Sequence, residues 1–130
     1  MPSVVVLDTH VLIRAALEPK KLPARVRGAL EEDHESAASD ISLWEIAMLI
    51  ARGRIGPVAD PVQFLDDIIH SRDLRILPIT PEIAVMSQSA RFAHRDPADR
   101  LIAATAIVHK ATLITADSQL RKIRELRTLW

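Results

Sequence analysis

Two aspartates three residues apart open the segment DPADRLIAATA, which spans residues 96–106. Asp96 can cap the helix that the following apolar residues predict, and Pro97 suits its first position. Asp99 then lies in the first turn, where a carboxylate faces the positive end of the helix dipole. Taken alone, the segment indicates helix capping. Carboxylates that converge from other parts of the chain would instead indicate a divalent-metal site.

Three further acids have a similar placement. Asp8 ends the predicted strand SVVVLD, and Asp117 follows the predicted strand ATLIT. Glu45 is predicted in the first turn of a helix, where Ser42 and Glu45 match the spacing of a capping box. Capping explains each of these acids separately. It does not explain why several of them should gather at one edge of a sheet.

A metal ion is the other interpretation of the acids. Carboxylates held close together repel one another, and each becomes costly to keep ionised. Mg²⁺ or Mn²⁺ relieves that repulsion, because hard divalent cations take oxygen ligands and keep bound water. Within the same turns the one basic side chain is Arg100. Capping and a metal site both remain open at this point.

Strands that alternate with helices predict how these acids are positioned. The alternation indicates an α/β fold with a parallel sheet covered by helices on both faces. In such a fold, sites form at the carboxyl ends of the strands. Strands are predicted at 3–8, 35–39, 74–79, 111–115 and 126–130. Helices are predicted at 9–18, 22–33, 42–52 and 81–93. A further helix is predicted to end near residue 70, another to begin at residue 97, and a short one to begin at residue 118.

The composition is that of one globular domain, 1–130, with 48% hydrophobic and 26% charged residues. There is no cysteine, which excludes disulfides, thiolate metal sites and a thiol nucleophile, and fits a cytoplasmic location. No signal peptide or membrane span is expected. Basic and acidic residues balance at 17 each, which counts against a nucleic-acid partner unless some acids surround a metal ion.

Four segments carry a resemblance to a known family: VVLDTHVLI, SDISLWEIAML, RDPADRLIAATA and LITAD. In order and separation they resemble the PIN-domain family, and among its members the VapC toxins of bacterial toxin–antitoxin pairs. The resemblance runs from Val4 to Trp130. It implies a three-layer α/β/α sandwich, with a central parallel sheet of about five strands, and a divalent-metal-dependent endoribonuclease. Ala98 and Arg14 depart from the family pattern, and neither is one of the acids.

The resemblance also implies the site residues. The catalytic acids would be Asp8, Glu45, Asp99 and Asp117. Of these, we expect Asp8, Asp99 and Asp117 to bind Mg²⁺ or Mn²⁺. We expect Glu45 to bind the ion through water or to orient the attacking water. Thr115 matches a polar position beside the acids, and Asp96 is expected to support or cap.

Partners follow from the same resemblance. An RNase without a visible substrate filter would harm its own cell, so we expect a small cognate antitoxin, an RNA substrate and no membrane. The predicted helix 42–52 carries more apolar side chains than one core-facing stripe needs, and the first helix adds others. These faces could form a homodimer or a groove for an amphipathic antitoxin helix. Trp44 and Phe64 are expected in the core or in partner contacts.

Two other protein classes compete with the ribonuclease. A phosphoacceptor receiver domain has a similar acidic Mg²⁺ pocket, but it would need paired acids after the first strand and an aspartate after the middle one. A catalytically silent scaffold with the same fold is the second alternative. His10 and His94 lie near the acids in sequence, and we expect neither to be catalytic because His10 points about 200° away from Asp8 around the helix.

Overall fold

The fold is built on a five-stranded, all-parallel sheet with strand order β3-β2-β1-β4-β5. The computed structural model describes residues 3–32, 34–92 and 96–130. The strands are β1 (Val4–Leu7), β2 (Glu35–Ser39), β3 (Arg75–Leu77), β4 (Thr112–Ile114) and β5 (Thr128–Leu129). The helices are α1 (Thr9–Leu17), α2 (Ala24–Glu31), α3 (Asp40–Ala51), α4 (Pro61–Ser71), α5 (Pro81–Met86) and α6 (Pro97–Val108). Within these residues, no helix has the length and apolar character to cross a membrane.

Helices cover both faces of the sheet, which confirms the predicted three-layer α/β/α architecture. Successive side chains of a strand point to opposite faces. In β1, Val6 therefore belongs to a core shared with α5 and α6, whereas Leu7 belongs to a core shared with α1 and α3. Ile102 of α6 and Ile46 of α3 are fully buried on their respective sides. Both cores are mainly aliphatic, as the low aromatic content predicts.

The strand order opens a crevice between β1 and β4. From β1 the chain crosses to β2 on one side, whereas from β4 it continues to β5 on the other. The connections leave in opposite directions, so the carboxyl ends of these two strands bound the site that this fold class provides. The backbone N–H of Asp8 donates to the carbonyl of Ile114 at 3.0 Å, which extends the pairing to that edge. The order also differs from the 2-1-3-4-5 order of receiver domains.

Helix α3 begins earlier than predicted, and the predicted capping box is wrong. Ser39 is the N-cap, and its hydroxyl accepts from the Ile41 backbone N–H at 3.3 Å. Strand β2 runs directly into the helix, so the last hydroxyl of the strand is already placed to cap it. Ser42 therefore lies inside the first turn, fully buried. Glu45 lies in the second turn rather than the first.

Helix α2 begins at Ala24, two residues later than predicted. Pro23 restricts the residue before it to extended backbone, and Leu22 has φ −75° and ψ 140°. The segment predicted as a helix from Ser118 forms a single 3₁₀ turn at Leu120–Lys122.

Helix α5 is shorter than the predicted 81–93 and ends at Met86. Beyond it the chain tightens into turns, and the Ser87 hydroxyl donates to the Ala84 carbonyl at 2.7 Å. Small polar side chains compete in this way with the helical hydrogen bonds of the backbone. Residue 93 and His94 lie outside the described residues.

Candidate active site

Asp8 joins the ends of the two central strands. Its side chain is 3% exposed. Oδ1 accepts from the Thr9 backbone N–H at 2.8 Å, which caps α1, and Oδ2 accepts from the Thr115 hydroxyl at 2.6 Å. Burial raises the pKa of Asp8, and these two hydrogen bonds oppose that rise. Thr115 therefore contacts Asp8, one of the acids that the sequence singles out.

Thr115 also positions Asp117. Its hydroxyl oxygen accepts from the Asp117 backbone N–H at 3.0 Å. Asp117 Oδ1 in turn accepts from the backbone N–H groups of Gln119 and Leu120 at 2.8 and 3.1 Å, so this acid caps the turn after β4. The negative charge of Asp117 contributes to the raised pKa of Asp8. One buried threonine thus fixes both acids that follow the central strands.

Glu45 approaches the same crevice from α3. It exposes 9% of its surface, and its Oε1 atom is buried without a hydrogen-bond partner among the described residues. Burial raises the pKa of Glu45, the hydrogen bond from Thr9 lowers it, and the charges of Asp96 and Asp8 raise it further. A buried carboxylate oxygen without a partner is costly. Such an atom fits a site that binds a cation or takes up a proton.

Helix α6 brings two more carboxylates to Glu45. Oxygen atoms of Glu45, Asp96 and Asp99 all lie within 4.8 Å of one another. Asp96 is also the N-cap of α6, because its Oδ1 accepts from the Ala98 backbone N–H at 2.9 Å. Asp96 can therefore cap α6 and still take part in a metal site. One carboxylate oxygen is fixed by the helix, and the side chain still lies in the acidic cluster.

Charge effects on pKa link Asp117 to Asp8, and Asp8 and Asp96 to Glu45, but the arrangement of the acids differs in detail from the predicted one. In the described part of the chain, the acids that lie close enough to share one cation are Glu45, Asp96 and Asp99. Asp99 is the one member that this set has in common with the predicted ligands Asp8, Asp99 and Asp117. Those ligands stay a prediction.

Three more polar residues, His10, Thr9 and Ser42, lie near the acids. His10 is exposed, and its positive charge lowers the pKa of both Asp8 and Glu45, so it lies near them. Thr9 and Ser42 are fully buried, with their hydroxyl oxygens 2.9 Å apart. A signal for this pair was present in the sequence. One hydroxyl directly follows Asp8, and the other lies one helical turn before Glu45.

Comparison with known proteins gives a consistent result. A sequence profile of the PIN domain matches residues 5–126. The chain is 35% identical to Ribonuclease VapC22 of Mycobacterium tuberculosis over 131 residues, which cover 98% of this chain and 99% of that protein.

Solved structures share the fold. The crystal structure of VapBC2 from Rickettsia felis, bound to a DNA fragment from the VapBC2 promoter, matches with a TM-score of 0.73 and 23% identity over 97% of both chains. DNA-bound VapBC from Salmonella typhimurium matches with a TM-score of 0.69 and 20% identity, over 99% of this chain and 98% of that one.

Replacing Glu45 with Gln should stabilise the metal-free protein at neutral pH. Because the pKa of Glu45 is raised on folding, its ionised form costs folding free energy above the folded pKa, and that cost disappears as pH falls below the unfolded value. We expect Tm to rise by on the order of 3 °C at pH 7. The gain should shrink towards about pH 4.

Calorimetry with a chelator at both pH values would measure this difference. The exposed Glu82, replaced with Gln in the same way, is the control and should give no such pH-dependent gain. A Glu45→Gln protein that is less stable than the parent at pH 7 would contradict the inferred cost of burying the ionised Glu45 carboxylate.

Proposed function

The chain belongs to the PIN domain family, and from that premise we propose that it is a divalent-metal-dependent endoribonuclease acting as the toxin of a toxin–antitoxin pair. The observation that carries the proposal is the buried Glu45 Oε1 atom beside the carboxylates of Asp96 and Asp99. Ribonuclease activity is inferred from the 35% identical relative, Ribonuclease VapC22, whose name states that activity. We further propose that the protein acts in the cytoplasm.

The residues present fit a hard divalent cation. All the donors are carboxylate oxygens, which suit Mg²⁺ or Mn²⁺ and not a soft metal. The ion would be held by Glu45, Asp96 and Asp99, whose oxygens lie within 4.8 Å of one another, and the charges of Asp8 and Asp117 would stabilise it from the ends of β1 and β4. When bound, such an ion supplies a water of lowered pKa and neutralises charge on a phosphate.

The protein's own side chains would orient the reactants. Asp8 is fixed at both oxygens, by Thr9 and Thr115, so its charge faces the crevice in one orientation. Glu45 has a raised pKa and an oxygen without a described partner, which suits it to orient a water and take its proton. The water would attack the phosphorus of an RNA phosphodiester in line, the bond from phosphorus to the 3′ oxygen would break, and the 3′ oxygen would leave with a proton taken from solvent. The sequence has no cysteine, so a thiol nucleophile is excluded.

Basic residues beside the crevice can contact an RNA backbone. Asp117 caps the turn that contains Arg121 and Lys122, and both basic residues are exposed. Lysine and arginine at a nucleic-acid surface contact phosphates without reading the bases. Arg121 and Lys122 would hold the RNA strand near the acids, and other contacts would have to select the RNA sequence that is cleaved.

A groove between α1 and α4 is our proposed docking site for the antitoxin. It has a volume of about 480 Å³ and is lined mainly by apolar side chains, with Asp67 and Arg72 among the polar ones. An amphipathic helix could lay its apolar face there. The expected groove combined α1 with α3, but Val11 and Ile46 are buried in the core and unavailable to a partner. The apolar lining that a partner could contact consists of Ala15, Ala16 and Phe64, and the largely buried Leu12 and Ile68 complete it.

A second apolar surface is our proposed dimer interface. Trp44 on α3 is 58% exposed, which is unusual for so large an apolar side chain. It borders a depression of about 430 Å³ that Ile41, Met48 and Leu101 also line. Burying this surface against a second copy would remove apolar area from water. Trp44 is thus available for a partner contact rather than part of the core.

Replacing Asp99 with Asn or Glu45 with Gln should lower RNA cleavage by about a hundredfold or more, because each change removes a charge from the metal-binding group. Cleavage of a mixture of single-stranded RNAs would be followed with Mg²⁺, with Mn²⁺ and with a chelator. The matched control is Asp66→Asn, which alters an exposed acid on α4. Cleavage at the parent rate by either site variant, or in the presence of chelator, would refute the metal-dependent assignment.

Replacing Ala16 with Arg should abolish co-purification with the cognate antitoxin while RNA cleavage continues at the parent rate. Ala16 is exposed in the α1–α4 groove, so a long charged side chain would obstruct the groove without disturbing the core. Ala84→Arg, at an exposed alanine on α5, is the matched control and should retain the antitoxin. Equal antitoxin recovery with both variants would show that the antitoxin does not dock in this groove.

Replacing Trp44 with Glu should convert a dimer into a monomer, because a carboxylate at the centre of an apolar contact would be buried without a partner. Light scattering coupled to size-exclusion chromatography would measure the mass. The control is Val62→Glu, since Val62 is 70% exposed on α4 and lies outside the proposed interface. A parent protein that is already monomeric at high concentration would exclude the interface.

A further inference from the structure

Thr9 contacts both Asp8 and Glu45. Its backbone N–H donates to Asp8 Oδ1 at 2.8 Å, and its hydroxyl lies close enough to Glu45 to lower the pKa of that carboxyl. The residue is fully buried, so water does not compete for these contacts. Thr9 is therefore a physical link between the acid that follows β1 and the acid on α3.

Ser42 holds the Thr9 hydroxyl from the opposite helix. The two hydroxyl oxygens lie 2.9 Å apart, and both residues are fully buried. Each hydroxyl has one proton and can also accept, so Thr9 can donate to Ser42, or accept from Ser42 and donate to Glu45. The β-branched threonine side chain has few χ1 choices. Together these features leave the Thr9 hydroxyl little freedom to turn away from Glu45.

We propose that Thr9, held by Ser42, is a positioning residue that fixes Glu45 relative to Asp8 and so sets the geometry in which the acids bind a divalent cation. The inference rests on the proposed metal-dependent function. Ser42 lies one helical turn before Glu45, so the 2.9 Å hydrogen bond between the Thr9 and Ser42 hydroxyls ties this part of α3 to the residue that holds Asp8. Glu45 Oε1 has no described hydrogen-bond partner that would orient it otherwise. Without the hydroxyl, the Glu45 carboxylate would sample several orientations in the crevice.

The test compares Thr9→Val, which removes the hydroxyl at nearly constant volume, with Thr9→Ser, which keeps it. We expect Thr9→Val to weaken Mn²⁺ binding, measured by calorimetry, and to lower kcat, each by about tenfold, because the buried hydrogen bond that ties α1 to α3 beside Glu45 is lost. The KM for RNA should stay near the parent value. Thr9→Ser should restore both quantities to within about twofold, although it loses a buried methyl group.

A structural control comes from α6. Thr105 is also fully buried, and its hydroxyl donates to the Leu101 carbonyl at 2.7 Å inside the helix. Thr105→Val should alter Tm without altering Mn²⁺ affinity. If Thr9→Val changes only Tm, as this control does, the positioning role is refuted. If Thr9→Val does not fold, Ser42→Ala gives the decision, because parent-like Mn²⁺ affinity and kcat in that variant would equally refute the role.

A readout independent of metal and RNA separates this proposal from the proposed function. The side-chain carboxyl ¹³C resonance of Glu45, assigned by its loss in Glu45→Gln, can be recorded in the metal-free protein. We expect it to shift or broaden in Thr9→Val and to return in Thr9→Ser. An unchanged resonance in Thr9→Val would overturn the inference. A parent protein that neither binds Mn²⁺ nor cleaves RNA would overturn the proposed function and leave this measurement decisive.

Discussion

The burial of carboxylates, to which their mutual repulsion adds, is the constraint on which the arrangement of this protein depends. Asp8 and Glu45 are almost fully buried, and each is affected by the charge of at least one other acid. The fold meets part of that cost with hydrogen bonds from backbone N–H groups at the beginnings of α1 and α6. Helix N-termini stabilise negative charge. The same contacts fix the direction of the oxygens, so capping and the proposed metal binding depend on a single set of interactions.

The rest of the fold compensates for an acidic site that destabilises it. Two aliphatic cores lie on either side of the sheet, and the central strands contribute to both. Each fully buried Val, Leu or Ile side chain contributes roughly 1.5–3 kcal/mol. Buried alanines such as Ala103 and Ala104 allow α6 to pack closely on the sheet. Asp96 and Asp99, at the beginning of α6, therefore lie within 4.8 Å of Glu45.

The two apolar surfaces proposed as partner sites lie apart from each other. The groove between α1 and α4 is one, and Trp44 with the depression beside it is the other. Glu45, Asp96 and Ala98 belong to the lining of that depression, so the proposed dimer contact would border the acidic cluster directly. A second copy could therefore affect access to the acids. The proposed antitoxin groove lies between other helices and could be occupied at the same time.

The sequence by itself determined the alternation of strands and helices, the parallel sheet and the placement of Asp8 and Asp117 after the two central strands. These features depend on local apolar periodicity and on residue type, which are readable along the chain. It did not determine that Ser39, rather than Ser42, caps α3, because the strand and helix join without a loop. Only the tertiary structure decided that Asp96 lies with Glu45 and Asp99, and that Thr9 meets Ser42 across 33 positions of the sequence. Such contacts depend on how α1, α3 and α6 pack on the sheet, and the spacing of residues along one element contains no information on that packing.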